Sequence, residues 1–273
     1  MSEGARPHVV VTPDAAALSH AGARLWVDCA RAALAARGIF HVALAGGTTP
    51  AELHRAVSEE SDLDYGWHRT HVWFGDERAV PPADRRSNFR MAKETLLDLV
   101  PLSESQVHRM RGEAPDLDAA AADYARALAT VVGPASSAMP ELDLVWLGLG
   151  ADGHTASLFP GSPVLGVDDR SVVAVDGGPP ESPRRLTLTL SALSAARRVI
   201  FVASGAAKAE AVAAVLEPPP GGPSDALPPA ARVRPAPGRL LWLLDEAAAS
   251  RLSRTPRAHP AGFTPGASGT AGA

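Results

Sequence analysis

Short apolar runs rich in β-branched residues alternate along the chain with longer segments whose apolar positions recur at helical spacing. Residues 8–12, 40–45, 71–74, 142–147, 199–203 and 240–244 predict strands, and 14–37, 51–60, 86–99, 117–132 and 206–216 predict helices. Such alternation predicts an α/β fold with a mostly parallel sheet covered by helices on both faces, where ligands sit at the carboxyl ends of the strands. Two shorter extended pieces, 171–176 and 185–190, lie too close together for a helical crossover and are expected to form an edge hairpin. Proline and glycine crowd residues 218–237, a surface excursion rather than a domain boundary, because a further strand and helix are expected after it. From about residue 253 to 273 the chain has no periodicity, so a single domain over 1–252 followed by a disordered tail is expected.

Composition narrows the function classes. Hydrophobic residues make up 46% of the 273-residue chain, enough for a sizeable core. The net charge of −4, with lysines and arginines spread along the sequence, offers no basic stripe to a nucleic acid. One phosphate is a different matter, since a few local cations and backbone N–H groups hold it against the global charge. The lone cysteine, Cys29, permits no internal disulfide and reads as a buried apolar side chain. No leader pattern and no run of about 18 apolar residues is present, so a cytoplasmic protein without a membrane partner is expected.

Three segments carry candidate chemistry. Gly46-Gly47-Thr48-Thr49-Pro50-Ala51-Glu52 follows a strand and opens a helix. Its glycines allow close backbone approach, and its helix start suits an oxyanion. Thr49 as cap, Pro50 in the first turn and Glu52 completing a capping box are equally consistent with a ligand-free turn. Next, Asp76-Glu77-Arg78 crowd the end of an apolar strand, with Ser87-Asn88 downstream; charges there belong to a solvated loop or to an active site, and strand position favours the site. Finally, Gly148, Gly150 and Gly153 match a G-x-G-x-x-G dinucleotide pattern, but they lie mid-chain and run into Ser157-Leu158-Phe159-Pro160-Gly161, a poor helix start, so nicotinamide binding is disfavoured. The glycines instead let Asp152 and His154 face a cleft, where an acid-oriented imidazole does acid–base work near neutral pH. His68 and His71 lack a third ligand for a metal. His8, His20, His41, His54 and His108 read as surface or strand-end residues, and His259 lies in the tail.

Together these segments resemble the 6-phosphogluconolactonase family, relatives of the glucosamine-6-phosphate deaminases. The likeness runs from about His8 to Leu252, and its most specific motif spans Gly148 to Gly161. It implies a Rossmann-like fold and hydrolysis of 6-phospho-D-glucono-1,5-lactone, with a sugar-phosphate lactone as the small-molecule partner, no metal or organic cofactor, and a monomer or small homo-oligomer. On this reading His154 is the general base, Asp152 supports it, Arg78 stabilises the oxyanion and Asp76 belongs to the catalytic set. Gly46, Gly47, Thr48, Thr49, Asn88, Arg185 and Lys208 would bind the substrate and its phosphate. The deaminases carry a glutamate where this chain has Phe159, which neither ionises nor accepts a hydrogen bond, so deamination or isomerisation is the weaker alternative. A non-catalytic sugar-phosphate sensor is the strongest alternative from another class, disfavoured because no helix-turn-helix segment precedes the first strand and because both Asp152 and His154 are retained. One departure concerns the phosphate: Pro180 stands where the family places a lysine, leaving Arg184, Arg185 and Lys208 as the nearest cations.

Overall fold

A computed structural model describes residues 8–60, 66–133, 139–176, 184–219, 221 and 226–253. Its central element is a six-stranded sheet in the order β1-β9-β8-β5-β2-β3, and every strand pair in it is parallel. The strands are β1 (His8–Thr12), β2 (Phe40–Leu44), β3 (Thr70–Phe74), β5 (Leu144–Leu147), β8 (Val199–Ala203) and β9 (Leu240–Asp245). All residues of β2, β5 and β8 are buried, so both faces of the sheet's centre are covered, the arrangement that continuous apolar runs predict. Trp26, Trp73, Trp146 and Trp242 are the largest fully buried side chains, in one cluster reaching from Val9 to Ala249. Each such side chain contributes roughly 1.5–3 kcal/mol or more by leaving water.

Helices form where apolar periodicity meets a start signal. Asp14 caps α1 (Ala15–Arg37) by accepting the Ala17 N–H, and Gly38, at φ 73°, closes it in the left-handed conformation that costs glycine least. Asp116 does the same at the start of α4 (Leu117–Val132). α2 (Thr48–Ser58) begins three residues earlier than its periodicity suggested. The helix expected at 86–99 is divided: Ser87 caps the short α3 (Asn88–Ala92), which passes into a π-helical turn over Lys93–Leu97. Residues 206–216 likewise divide, a 3-10 turn over Ala206–Lys208 leading into α6 (Ala209–Leu216). After β9 the expected helix is replaced by turns.

The expected hairpin is present but belongs to a second sheet. β6 (Val172–Val175) and β7 (Arg185–Leu188) pair antiparallel, and β7 also pairs with β4 (Asp76–Arg78), giving the order β4-β7-β6. Between β7 and β8, α5 (Leu190–Ala195) is capped by Thr189. Gly75 is the junction of the two sheets: its N–H donates to Leu44 O of the large sheet at 2.9 Å, and its carbonyl accepts from Leu188 N at 2.8 Å.

Two of the histidines read as surface or strand-end residues are interior, His54 in a helix and His41 near the start of a strand. His54 is fully buried, because α2 turns that face against the segment carrying Thr95; His41 is 4% exposed within β2, where it accepts from Trp73 Nε1. His108 is half-buried, stacked on Trp73 at 3.9 Å. Cys29 is buried, and burial pushes its thiol up to about 12, so it carries no thiolate near neutrality. Pro180 and the expected tail lie outside the described residues, apart from Ser253 at the tail's start.

Candidate active site

The chain order of the large sheet reverses between β2 and β5: from β2 it proceeds to β3 on one side, and from β5 to β8 and β9 on the other. The loops leaving adjacent strands at such a switch point part and open a crevice. Here the loop after β2 carries Gly46 and Gly47, that after β5 carries Gly148 to His154, and that after β8 leads to Lys208. These loops, with the start of β4 and β7, enclose a cleft of about 310 Å³.

Gly46, Gly47, Thr48 and Thr49 form one wall. Gly47 is the N-cap of α2 at φ 108°, and no side chain caps the helix. The capping box expected from Thr49 and Glu52 is therefore absent: Thr49 is already helical, and Glu52 pairs with Arg55 at 2.7 Å. An 11-residue helix thus presents an uncapped positive end to the cleft, the local field that favours a phosphate.

On the opposite wall, β4 and β7 place Arg78 and Arg185 directly across from each other in antiparallel register. Arg78 donates to Arg86 O at 2.6 Å through Nη1. Arg185 lies 3.8 Å from the Asp76 carboxylate and 5.4 Å from the centre of the Phe159 ring; burial pulls its pKa down, while the Asp76 charge opposes that shift. Asp76 also lines the cleft and is closely held, accepting from Asn88 Nδ2 at 2.8 Å and Ser157 Oγ at 2.6 Å.

His154 lines the floor, and its Nδ1 is 2.5 Å from Asp152 Oδ1. Burial opposes ionisation of Asp152, but hydrogen bonds from the His154 amide and ring outweigh it and hold the carboxyl below its ordinary range. A carboxylate at Nδ1 fixes the tautomer with its proton there, leaving Nε2 as the basic nitrogen. The loop is pressed tightly around this pair: a Cβ on Gly150 would sit 2.0 Å from His154 Nδ1 and 2.7 Å from Asp152 Oδ1. As expected, residues 148–161 form hydrogen-bonded turns and no α-helix, so the three glycines do not open a nucleotide-binding helix. Phe159 packs on His154 with ring centres 4.8 Å apart. Lys208 completes the cleft, its Nζ donating to Leu149 O at 2.8 Å.

Of the residues chosen from sequence, Asn88 does not line the cleft. It is 2% exposed and lies behind the Gly46 loop, where it bonds both the backbone and the carboxylate of Asp76. Asp152 likewise stands beside the cleft, bonded to His154. Two contributors were not singled out from sequence. Ser157, brought inward just after Ala156 turns at φ 47°, binds Asp76. Glu77 accepts from Ser87 Oγ and from the Asn88 and Phe89 amides at 2.7–2.9 Å, pegging the loop behind Arg78; burial pushes its carboxyl up against those bonds. Among the described residues no group of three metal-ligating side chains converges.

An α/β sheet whose switch point combines an uncapped helix start, several cations and an acid-oriented imidazole defines a protein that performs acid–base chemistry on a small phosphorylated molecule. The chain belongs to the glucosamine-6-phosphate isomerase/6-phosphogluconolactonase family, whose model matches residues 13–242. It is 40% identical over 255 residues to the 6-phosphogluconolactonase of Streptomyces coelicolor, covering 91% of this chain and 96% of that one. The human 6-phosphogluconolactonase is 39% identical over 222 residues, covering 80% and 83%. Among solved structures, 6-phosphogluconolactonase from Trypanosoma brucei superposes with a TM-score of 0.79 at 30% identity, over 92% of this chain and 100% of that one. A monomeric glucosamine-6-phosphate deaminase, at 22% identity and a TM-score of 0.73, shares the fold.

Proposed function

We propose that this chain hydrolyses 6-phospho-D-glucono-1,5-lactone to 6-phospho-D-gluconate. The observation that carries the chemistry is His154, held by Asp152 and facing a cleft that also receives the uncapped start of α2 and Lys208. Substrate identity rests on the lactonases to which the chain is similar over most of its length.

In this mechanism His154 Nε2 takes a proton from water as the water oxygen attacks the lactone carbonyl. The tetrahedral oxyanion is stabilised by Arg78, and collapse breaks the bond to the ring oxygen, which receives the proton back from His154. Asp152 keeps the imidazole oriented and stabilises its protonated form. The distal phosphate is held by the Gly46–Thr49 turn, Arg185 and Lys208, so that binding remote from the reacting carbon orients it. Asp76 serves this wall by fixing Arg185 and Ser157. Phe159 against His154 places an apolar ring where amino-sugar ring opening would need an acid, which favours hydrolysis over deamination.

The reaction needs no metal or organic cofactor, since water, a base and a cation suffice for an activated ester. A single cysteine suits a reducing compartment such as the cytosol, and among the described residues no helix is long and apolar enough to cross a membrane. The test mixes purified protein with freshly prepared lactone and excess chelator and follows ring opening against the spontaneous rate. Acceleration that falls by roughly 10² to 10⁴ in His154→Ala is expected. No acceleration by folded wild-type protein, or unchanged turnover in the variant, would overturn the reading.

A further inference from the structure

Behind the Lys208 wall lies a buried carboxylate that the mechanism does not use. Asp245 is the last residue of β9, 4% exposed. Ala203 and Leu244 are in register across β8 and β9, so Asp245 stands level with Ser204 where the chain leaves β8 for the cleft. Its carboxylate accepts from Ser204 Oγ at 2.5 Å, from Gly205 N at 2.9 and 3.0 Å, and from Ala248 N at 2.7 Å.

The turn it holds is the one that delivers Lys208. Gly205 stands at φ 91°, and Lys208 N donates back to Gly205 O at 3.0 Å, closing the 3-10 turn. From there the lysine side chain reaches Leu149 O in the loop that carries His154. One carboxylate therefore fixes the root of one of the cleft's cations, and through it ties β9 to the loop after β5.

Charge alone argues against finding an aspartate here. A fixed anion beneath an anion-binding wall weakens the field offered to a phosphate, so geometry must supply its benefit. We propose that Asp245 is a positioning residue for the phosphate end of the cleft, acting through the Ser204–Gly205 turn to hold Lys208 in place; this rests on the phosphate reading of that wall. The geometric and the purely electrostatic roles predict opposite signs: removing the carboxylate weakens phosphate binding if it positions Lys208, and strengthens it if its charge is all that matters.

The test is calorimetric titration with 6-phosphogluconate of wild type, Asp245→Ala and Asp245→Asn, with lactone kinetics alongside. The alanine variant should bind roughly tenfold more weakly, the size of a lost charge-assisted hydrogen bond. Its KM for the lactone should rise more than its kcat falls. The asparagine variant keeps one carbonyl oxygen for the Gly205 and Ala248 amides and should fall between. Ser204→Ala, which removes one donor from the carboxylate, should shift binding in the same direction by less. Where the alanine variant fails to fold, the asparagine and Ser204 variants decide the matter. Unchanged or tighter binding, or kcat falling as far as KM rises, would overturn the proposal. A wild-type protein that binds 6-phosphogluconate without accelerating lactone opening would overturn the lactonase reading instead, leaving Asp245 to be decided by the binding series.

Discussion

Lowering the pH from about 8 to 5 should remove about 2 kcal/mol of folding stability through His54 alone. This histidine sits in α2 with no exposed surface. Its Nδ1 is 3.3 Å from Thr95 Oγ1, whose own proton goes to Met91 O at 2.8 Å, so Nδ1–H is the donor. Nε2 has no hydrogen-bond partner, and protonating it would bury an unpaired cation. Burial, followed by the neighbouring Arg55 charge, pulls the pKa from 6.5 down to about 3. The unfolded chain binds this proton below about 6.5 and the folded one does not, so the stabilisation is complete above that pH and is lost as pH falls towards the folded value. At pH 5 the unfolded state has gained about 1.5 pH units of proton binding, and at about 1.36 kcal/mol per unit the loss is about 2 kcal/mol. Urea unfolding of wild type and His54→Leu at both pH values isolates the effect, because every other acid-sensitive group is common to the two proteins. With a slope of roughly 2 kcal/mol per molar, the acid-induced fall in midpoint should be about 1 M smaller in the leucine variant. Equal falls in the two proteins would refute a neutral, proton-excluding His54.

Other perturbations probe the cleft. Gly150→Ala should lower kcat with a smaller effect on KM, since its Cβ would contact His154 Nδ1 at 2.0 Å and displace the Asp152 pair; steady-state kinetics at saturating substrate read this. Gly46→Ala pushes a Cβ to 2.0 Å from the buried Asn88 Oδ1, and should lower both thermal stability and turnover by disturbing Asp76. Lys208→Ala should do the reverse of His154→Ala, raising KM more than it lowers kcat, because its cation serves binding remote from the reacting carbon.

Much of this arrangement is legible in sequence because the sheet's strands are buried on both faces. Runs such as Val199–Ala203 are apolar without interruption, and glycine, serine, threonine or charge stands at or within two residues of each one's end. The same rule conceals β4, whose whole length is the polar Asp76–Arg78 and whose pairing depends on β7, more than 100 positions away. Side chains that face the cleft were found because their types suit the chemistry. Those standing behind it were misread or passed over: Asn88 was given a ligand and Asp245 received no role, while elsewhere in the core His54 was read as a surface or strand-end residue. A buried polar group is justified only by its partners, and these lie far along the chain, as Ser157 and Asp76 do at a separation of 81 residues. Local spacing therefore identifies the groups that would touch substrate, while the polar residues that hold them in place become visible only once distant strands are brought together. The distinction carries a mechanistic consequence. Asp76 suits a catalytic base by type, yet its carboxylate is already engaged by Asn88, Ser157 and Arg185; with its oxygens committed to these partners, it is placed to order the arginine wall rather than to reach for a substrate proton.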